Sequence, residues 1–189
     1  GGIELMTGGE LLANHKPTTD LLNITEWDLQ QPWWHARKHL RTWQLGMYAV
    51  DLAANLIADH DPHPASFDAL FEFFNTVKDT EQLDAALLKL QWLLLTDVGY
   101  RPQLDHDVHT GQPLTDQATY QFDALAGGLC NTSSSSTWGV RKQTITLLRD
   151  LADFKPFALD GIDRANRLLC SYIRATLDKQ LPTMQYVLG

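Results

Sequence analysis

Apolar residues recur at alternating intervals of four and three between Leu29 and Ile57, which constrains the fold more than any other feature of the chain. The members are Leu29, Trp33, Ala36, Leu40, Trp43, Met47, Val50, Ala54 and Ile57. This spacing is typical of one face of an α-helix. Pro32 suits a first turn, because the N–H that it lacks has no intrahelical partner there. The pattern predicts one long helix over residues 31–57, with Trp33 and Trp43 in the core.

Four further segments predict the rest of a helical bundle. Residues 64–78 open with Pro64 and carry an apolar stripe. Residues 80–98 are apolar almost all round, which is typical of a helix in the centre of a bundle. Amphipathic patterns predict two more helices over residues 138–154 and 160–180.

The remaining segments predict strands and loops. Short apolar pieces at residues 3–6, 10–13 and 21–24 stand between glycines and threonines, which suits strands. Residues 99–130 form a long Gly-, Pro- and Asp-rich connection with a small hairpin expected around Gly111. The Ser-rich residues 131–137 are expected to be mobile. The fold class is therefore mainly α, a bundle of about five or six helices preceded by a few short strands.

The composition excludes several functions. Fifteen Lys and Arg against 23 Asp and Glu give a net charge of −8, so nucleic acid can be bound only by a local basic patch. Two cysteines, Cys130 and Cys170, are too few for a disulfide framework, as expected in a reducing cytoplasm. The longest apolar run, residues 92–95, is far shorter than the roughly 20 residues of a membrane span. We expect a cytoplasmic protein without membrane contact, and a fragment or processed chain, because it begins without Met.

The predicted first helix carries a local basic patch. Residues 29–50 contain no acidic residue, and Arg37, Lys38 and Arg41 lie close together within them. Neither arginine has an Asp or Glu three or four residues away, so the patch is a candidate for contact with DNA phosphates. Trp34 lies off the apolar stripe and is a candidate to stack on a base. The alternative is the solvated polar face of a core helix.

Two more basic clusters lie near the C-terminus. Arg164, Arg167 and Arg174 form a stripe on the last predicted helix, and Arg141 and Lys142 with Arg149 form a separate cluster on the helix before it. Asp163 and Asp178 stand four residues from two of these arginines, so a salt-bridged solvent face is the alternative to a binding site.

Residues 59–63 and 105–109 share the pattern D-H-D-x-H. Carboxylate and imidazole groups of this kind can hold Zn, Mn or Fe, and His-Asp dyads in a helical protein resemble the HD phosphohydrolases. The alternative is structural, since both segments follow predicted helix ends, where Asp, His and Pro are common.

Three motifs resemble one known family. They are residues 21–26 (LLNITE), the P-x-x-F start at residues 64–67, and residues 93–105 (LLLTDVGYRPQLD). The last is similar to the L-x-x-L-G-Y-x-P-x-L-D junction of the RecO recombination mediators, which leads into a small zinc-binding loop. Residues 122–130 resemble the second half of that loop, and the resemblance extends over residues 8–189.

The resemblance implies a fold and a function. Residues 1–26 would be the end of an OB-fold, and residues 27–189 an α-helical domain with a degenerate zinc loop at about 99–137. The family implies a DNA repair protein, not an enzyme, that binds and anneals single- and double-stranded DNA. With RecR and single-stranded-DNA-binding protein it helps RecA to load. The alternative from another class is a metal-dependent HD-like hydrolase.

The resemblance also implies where partners bind. In the family the helical domain docks the acidic, hydrophobic-ended tail of single-stranded-DNA-binding protein. The residues expected to hold its carboxylates are Arg141, Lys142, Arg164 and Arg167, and those expected to contact DNA are Arg37, Lys38, Arg41 and Trp34. No catalytic residue and no cofactor are expected.

The zinc loop departs from the family pattern. The positions of the two CxxC motifs hold Asp107, Thr110, Cys130 and Ser133. One thiolate cannot close a tetrahedral zinc site, so the sequence predicts no bound zinc. The loop is expected to be held by packing, with the anchors Tyr100, Leu104, Leu114 and Phe122, and His106, His109 and Cys130 as substitute ligands if zinc were found.

Overall fold

The structure is a computed structural model that describes residues 3–15, 21–77 and 82–189. Its helices are α1 (Leu40–Leu56), α2 (Pro64–Thr76), α3 (Leu83–Asp97), α4 (Lys142–Ala152), α5 (Ile162–Leu177) and α6 (Gln185–Leu188). Its strands are β1 (Gly8–His15), β2 (Leu22–Gln31), β3 (Thr119–Asp123), β4 (Gly128–Cys130) and β5 (Thr137–Arg141). The mainly helical class with short antiparallel strands is confirmed.

Helix α3 is the centre of the bundle, as its all-round apolar sequence predicts. It packs against α1, α2 and α5, and six of its seven leucines are buried, with Leu93 the exposed one. Buried polar groups fix the register of these helices. Tyr48 donates to Gln91 Oε1 at 2.9 Å, and Gln91 Nε2 donates to Asn166 Oδ1 at 2.8 Å. Because these buried side chains hydrogen-bond to one another, they hold α1, α3 and α5 in one arrangement.

The long helix predicted over residues 31–57 is wrong in its first third. Strand β2 extends to Gln31, and Trp33 adopts a left-handed backbone with φ of 37°. A short 3-10 helix (Trp34–Arg37) follows, and His39 is extended before α1 begins. Leu29 belongs to a strand, where it is 43% exposed. Its spacing from Trp33 therefore matched a helical interval by coincidence.

The predicted apolar stripe also misplaces the buried face of α1. Leu40 is 72% and Trp43 39% exposed, whereas Leu45, Tyr48 and Leu52 are fully buried. Helix α1 has apolar residues on two sides, so spacing alone cannot say which side faces the core.

Trp33 lies in the core as predicted, although outside any helix. Its ring stacks on Phe74 with centroids 5.0 Å apart, and its Nε1 donates to Asn75 Oδ1 at 2.9 Å. The buried tryptophan therefore keeps both its apolar contacts and a partner for its N–H.

The helix predicted over residues 138–154 begins later, at Lys142, and ends at Ala152. The residues before it form β5, which pairs antiparallel with β3, while β4 pairs with the other side of β3. Alternating Thr, Trp and Val favour a strand once β3 is available as a partner. The long connection therefore supplies two strands of a three-stranded sheet, β3 and β4, as well as the expected tight turn, where Gly111 has φ of 69°.

The N-terminal prediction is partly right. Residues 10–13 lie within β1 and residues 22–24 within β2, and the two strands pair antiparallel. Residues 3–6 are not a strand but end in a turn. Two strands alone do not define an OB-fold, so that expectation stays a prediction.

The expected helix ends at residues 78 and 80 lie outside the described residues. Within the described ranges, no helix is long and apolar enough to cross a membrane.

Candidate peptide and nucleic-acid interfaces

A concavity of about 470 Å³ lies between β5 and α5, and we call it the arginine pocket. Four arginines line it: Arg141, Arg164, Arg167 and Arg174. The other lining residues are Trp138, Gly139, Val140, Thr144, Leu168 and Ser171. The pocket therefore combines four cations with a partly apolar surface.

The fold brings the four arginines together from two distant parts of the chain. Arg164, Arg167 and Arg174 lie on α5 at intervals of three and seven residues, which places them on one side of the helix. Arg141 is the last residue of β5, next to α4, and α4 packs against α5. The sequence offered the arginines as separate clusters, and the α4–α5 packing joins them.

Two of these arginines are only weakly neutralised. Arg167 Nε lies 3.2 Å from Asp163 Oδ2. Arg164 Nη2 lies 3.9 Å from Asp160 Oδ1 and donates to Gln143 Oε1 at 3.2 Å. These are exposed pairs four residues apart on or next to α5, a type of contact worth only a few tenths of a kcal/mol.

The other two are not neutralised at all within the described ranges. There, Arg141 and Arg174 form no ion pair and no side-chain hydrogen bond. The Nε of Arg164 is also buried without a hydrogen-bond partner in this part of the chain. Unsatisfied guanidinium donors around one concavity favour the binding of an anionic group.

Trp138 forms a fixed wall of the arginine pocket. Its ring stacks on Phe122 with centroids 5.9 Å apart and an interplanar angle of 17°. Phe122 in turn meets Tyr172 of α5 edge to face at 5.4 Å. The indole is thus held by the core and cannot turn freely into the pocket.

Lys142, predicted with this cluster, lies elsewhere. Its Nζ is 2.6 Å from Asp116 Oδ1, and hydrogen bonding to this carboxylate raises the lysine pKa. It does not line the arginine pocket. Of the four predicted residues the structure therefore brings three together, and it adds Arg174.

The N-terminal basic patch is differently arranged. Arg37 forms an ion pair with Glu4 at 2.6 Å, donates to the carbonyl of Leu5 at 2.6 Å, and lies 5.4 Å from the Trp34 ring centroid. Arg41 donates to the carbonyl of Tyr186 and reaches Asp84 Oδ1 at 3.3 Å. These partners come from distant segments, so inspection of neighbouring positions could not find them.

Two members of this patch remain accessible. Trp34 is 60% exposed. Lys38 is exposed and forms no ion pair with any residue that the structure describes. The patch therefore offers one free cation and one exposed aromatic ring.

A larger groove of about 830 Å³, missed by sequence reasoning, lies between α3 and the connection from α4 to α5, and we call it the α3 groove. Its apolar lining includes Trp92, Leu93, Phe154, Phe157 and Leu159, and its cations are Lys89, Arg101 and Lys155. Phe154 is 91% and Leu159 69% exposed. The one sequence feature that could have indicated this groove is the pair Phe154 and Phe157, which stand in a segment without helical periodicity.

The first D-H-D-x-H segment is structural in its contacts. His63 Nδ1 lies 3.0 Å from Asp97 Oδ2, and its Nε2 lies 3.1 Å from Asp61. Asp97 also accepts from the backbone N–H and hydroxyl of Ser66, which satisfies a donor in the first turn of α2. The hydrogen bonds from Ser66 and His63 lower the pKa of Asp97. Desolvation alone would lower the pKa of His63, but its hydrogen bonds with Asp61 and Asp97 together outweigh this and raise it.

The second segment makes separate contacts, with His109 Nε2 lying 3.2 Å from Asp123 Oδ2. Over the described ranges, no group of three or more His, Cys, Asp or Glu side chains is arranged to hold a metal. The hydrolase alternative therefore gains no support from these segments.

The zinc loop has two of its four predicted anchors in the core. Leu104 and Phe122 are buried and Leu114 is half-buried, but the Tyr100 side chain is 51% exposed. Tyr100 contributes through its backbone, since its carbonyl accepts from the Tyr172 hydroxyl at 3.1 Å. Its ring is therefore not an anchor.

These observations define the class of protein: a helical domain with a cationic pocket and a small three-stranded sheet. Residues 37–185 match the family described as "Recombination protein O C terminal". The chain belongs to this family.

Relatives called "DNA repair protein RecO" share sequence along most of the chain. The protein of Nitrosospira multiformis is 26% identical over 54% of this chain and 43% of its own length. The protein of Anaeromyxobacter dehalogenans is 28% identical over 69% of this chain and 51% of its own length. The protein of an Anaeromyxobacter species is 23% identical over 99% of this chain and 78% of its own length. In the first two, the chain spans about half the length of the curated relatives it matches.

Proposed function

We propose that this chain is part of a DNA repair and recombination mediator. In this role it binds and anneals DNA, and with RecR it helps RecA to load onto strands coated by single-stranded-DNA-binding protein. It uses no cofactor and has no catalytic residue, and it works in the cytoplasm, where Cys130 and Cys170 stay reduced. Membership of the family and the name of its relatives support the repair role.

The arginine pocket docks the acidic, apolar-ended tail of single-stranded-DNA-binding protein. The observation that carries this assignment is the convergence of four arginines on one concavity, two of them without an ion pair in the described ranges. The planar guanidinium forms paired hydrogen bonds with carboxylates, and Val140 and Leu168 offer apolar contact for the terminal side chain. Recognition of an acidic motif by an arginine cluster is a known mode of peptide binding.

DNA contacts the N-terminal basic patch, with Lys38 as its free charge and Trp34 as its exposed ring. Arg37 and Arg41 contribute only by exchanging their internal partners for phosphate. We therefore expect weak, sequence-independent binding that salt screens.

A peptide titration tests the docking assignment. A labelled acidic tail peptide should bind the wild-type chain with a Kd on the order of 1 μM, about −8 kcal/mol. Arg164→Ala/Arg167→Ala should weaken binding at least tenfold, because charge-assisted hydrogen bonds are lost.

Arg101→Ala, which removes a cation from the α3 groove, is the matched control and should leave the affinity unchanged. Equal binding by wild type and the double variant, with a loss in Arg101→Ala, would assign the tail to the α3 groove instead.

A further inference from the structure

Asp107 occupies the first of the four positions at which a zinc loop of this family would carry cysteine. The residue is only 3% exposed. Its Oδ1 accepts from the backbone N–H groups of His109 and Thr110, each at 2.9 Å. Its Oδ2 accepts from the backbone N–H of Asn131 at 2.6 Å. One carboxylate thus joins the 107–110 turn to the residue that follows Cys130.

The donor atoms around Asp107 do not fit a zinc site. The Cys130 Sγ donates to the carbonyl of Thr132 at 3.3 Å, and burial together with the negative charges of Asp107 and Asp123 raises the pKa of this thiol. Cys130 is the single sulfur at the four positions, and one thiolate cannot close a tetrahedral zinc site. The hydroxyl of Thr110 already accepts from the N–H of Gln112.

We infer that the Asp107 carboxylate is a metal-free clasp that does the work of the zinc ion, tying the two halves of the loop together through three backbone hydrogen bonds. Carboxylates that accept two or three backbone N–H bonds are strongly held in the ionised form. Hydrogen bonding from Asn131, followed by that from Thr110 and His109, lowers the pKa of Asp107 to about 2. The clasp is therefore charged at neutral pH.

The clasp positions one wall of the arginine pocket. Asn131 directly follows β4, β4 pairs with β3, and β3 pairs with β5, which carries Trp138 and Arg141. Fixing β4 at one edge of this sheet fixes β5 at the other. This consequence rests on the proposed function, whereas the clasp itself does not.

Hydrogen exchange tests the clasp directly. Asp107→Ala should speed the exchange of the Thr110 and Asn131 amides at least tenfold, because both lose their acceptor. Asp105→Ala is the matched control, since its carboxylate is exposed and, among the described residues, forms an ion pair only with Arg149, at 3.6 Å. Unchanged protection of both amides in a folded Asp107→Ala variant would overturn the inference.

Metal content provides a second test with a different readout. The wild-type chain should hold no zinc after dialysis, and a chelator should leave its Tm unchanged. Asp107→Cys/Thr110→Cys/Ser133→Cys, which together with Cys130 restores four thiols, should bind one zinc per chain and become sensitive to the chelator. Zinc should also restore slow exchange of the Asn131 amide in this variant.

Two results would contradict the clasp: about one zinc per wild-type chain, or a folded four-cysteine variant that binds none. The second would show that the four positions do not converge. If the four-cysteine variant fails to fold, the wild-type zinc content and the Asp107→Ala exchange decide. Failure of the tail peptide to bind would remove the proposed function and leave both of these readouts unaffected.

Discussion

The N-terminal basic patch and the arginine pocket both arise from clusters of basic residues in the sequence, but the structure uses the two differently. In the N-terminal basic patch, Arg37 and Arg41 hold distant segments together through Glu4 and Asp84. In the arginine pocket, the arginines face a concavity, and the carboxylates near them are those four residues away on the same helix or just before it. The comparison teaches that arginines can be used for folding at one site and left available at another.

The difference has a physical origin. In a chain with a net charge of −8, a cation next to other packed segments readily finds a carboxylate or a backbone carbonyl. The N-terminal arginines lie where the first residues, the start of α3 and the C-terminal α6 meet. The arginine pocket lies at a surface between β5 and α5, where none of the described segments crosses it.

The largest expected effect concerns the arginines without ion pairs. Arg141→Ala/Arg174→Ala should weaken tail-peptide binding by at least about 100-fold, because each of the two arginines loses a hydrogen bond to a charged group worth about 1.5–3 kcal/mol. Calorimetric titration measures the change. Arg37→Ala/Arg41→Ala is the matched control and should bind the peptide as wild type does. Similar losses in both variants would break the comparison, since the effect would then follow net charge and not the pocket.

A smaller effect, of opposite sign, is expected from the neighbouring acids. Asp160→Asn/Asp163→Asn removes the carboxylates that pair with Arg164 and Arg167. Exposed pairs of this kind are worth about 0.3–0.5 kcal/mol each, so the peptide should bind roughly three- to fivefold more tightly. Asp153→Asn, which frees Lys155 on another surface, should leave the affinity unchanged. Unaltered binding by the double variant would show that these carboxylates do not compete with the peptide.

Lys38 and Arg37 should differ in how they affect DNA binding. Lys38→Ala removes a free cation and should reduce the salt slope of single-stranded DNA binding by about 0.7–0.9. Arg37→Ala should reduce it by less, because Glu4 already neutralises this arginine. Fluorescence anisotropy at several salt concentrations measures both slopes, and equal reductions would contradict the distinction between them.

The smallest effect is on stability. Arg37→Ala should lower the free energy of unfolding by about 0.5–1 kcal/mol, since it breaks an exposed ion pair and a hydrogen bond to the Leu5 carbonyl. Arg141→Ala should leave it unchanged. Denaturant unfolding of both variants checks this, and a larger loss in Arg141→Ala would reverse the roles assigned to the two clusters.

Sequence periodicity correctly predicted the helices that carry either a single apolar stripe or apolar residues nearly all round. Helices α2 and α5 begin within two residues of their expected starts, and α3 lies in the core as expected. Residues 31–39 and 138–141 were wrongly predicted as α-helical, because a short apolar segment fits either period until its tertiary partners are known. The partner of β5 lies about twenty residues away and that of β2 is the earlier strand β1, so both pairings are tertiary information.

The candidate site was predictable in its residue types and not in its geometry. Local spacing identified Arg141, Arg164 and Arg167, but only the α4–α5 packing shows that they share a concavity with Arg174. The same spacing treated Arg37 as unpaired, because its partner Glu4 is 33 residues away. Contacts across such separations cannot be derived from a single sequence.

The most direct test of the account is an NMR titration of the tail peptide that follows arginine Nε–Hε and tryptophan Nε1–H signals. The account predicts that the signals of Arg141, Arg164, Arg167, Arg174 and Trp138 shift together and saturate with one peptide per chain. The signals of Arg101 and Trp92, which line the α3 groove, should stay in place. Shifts confined to Arg101 and Trp92 would contradict the account and move the docking site to the α3 groove.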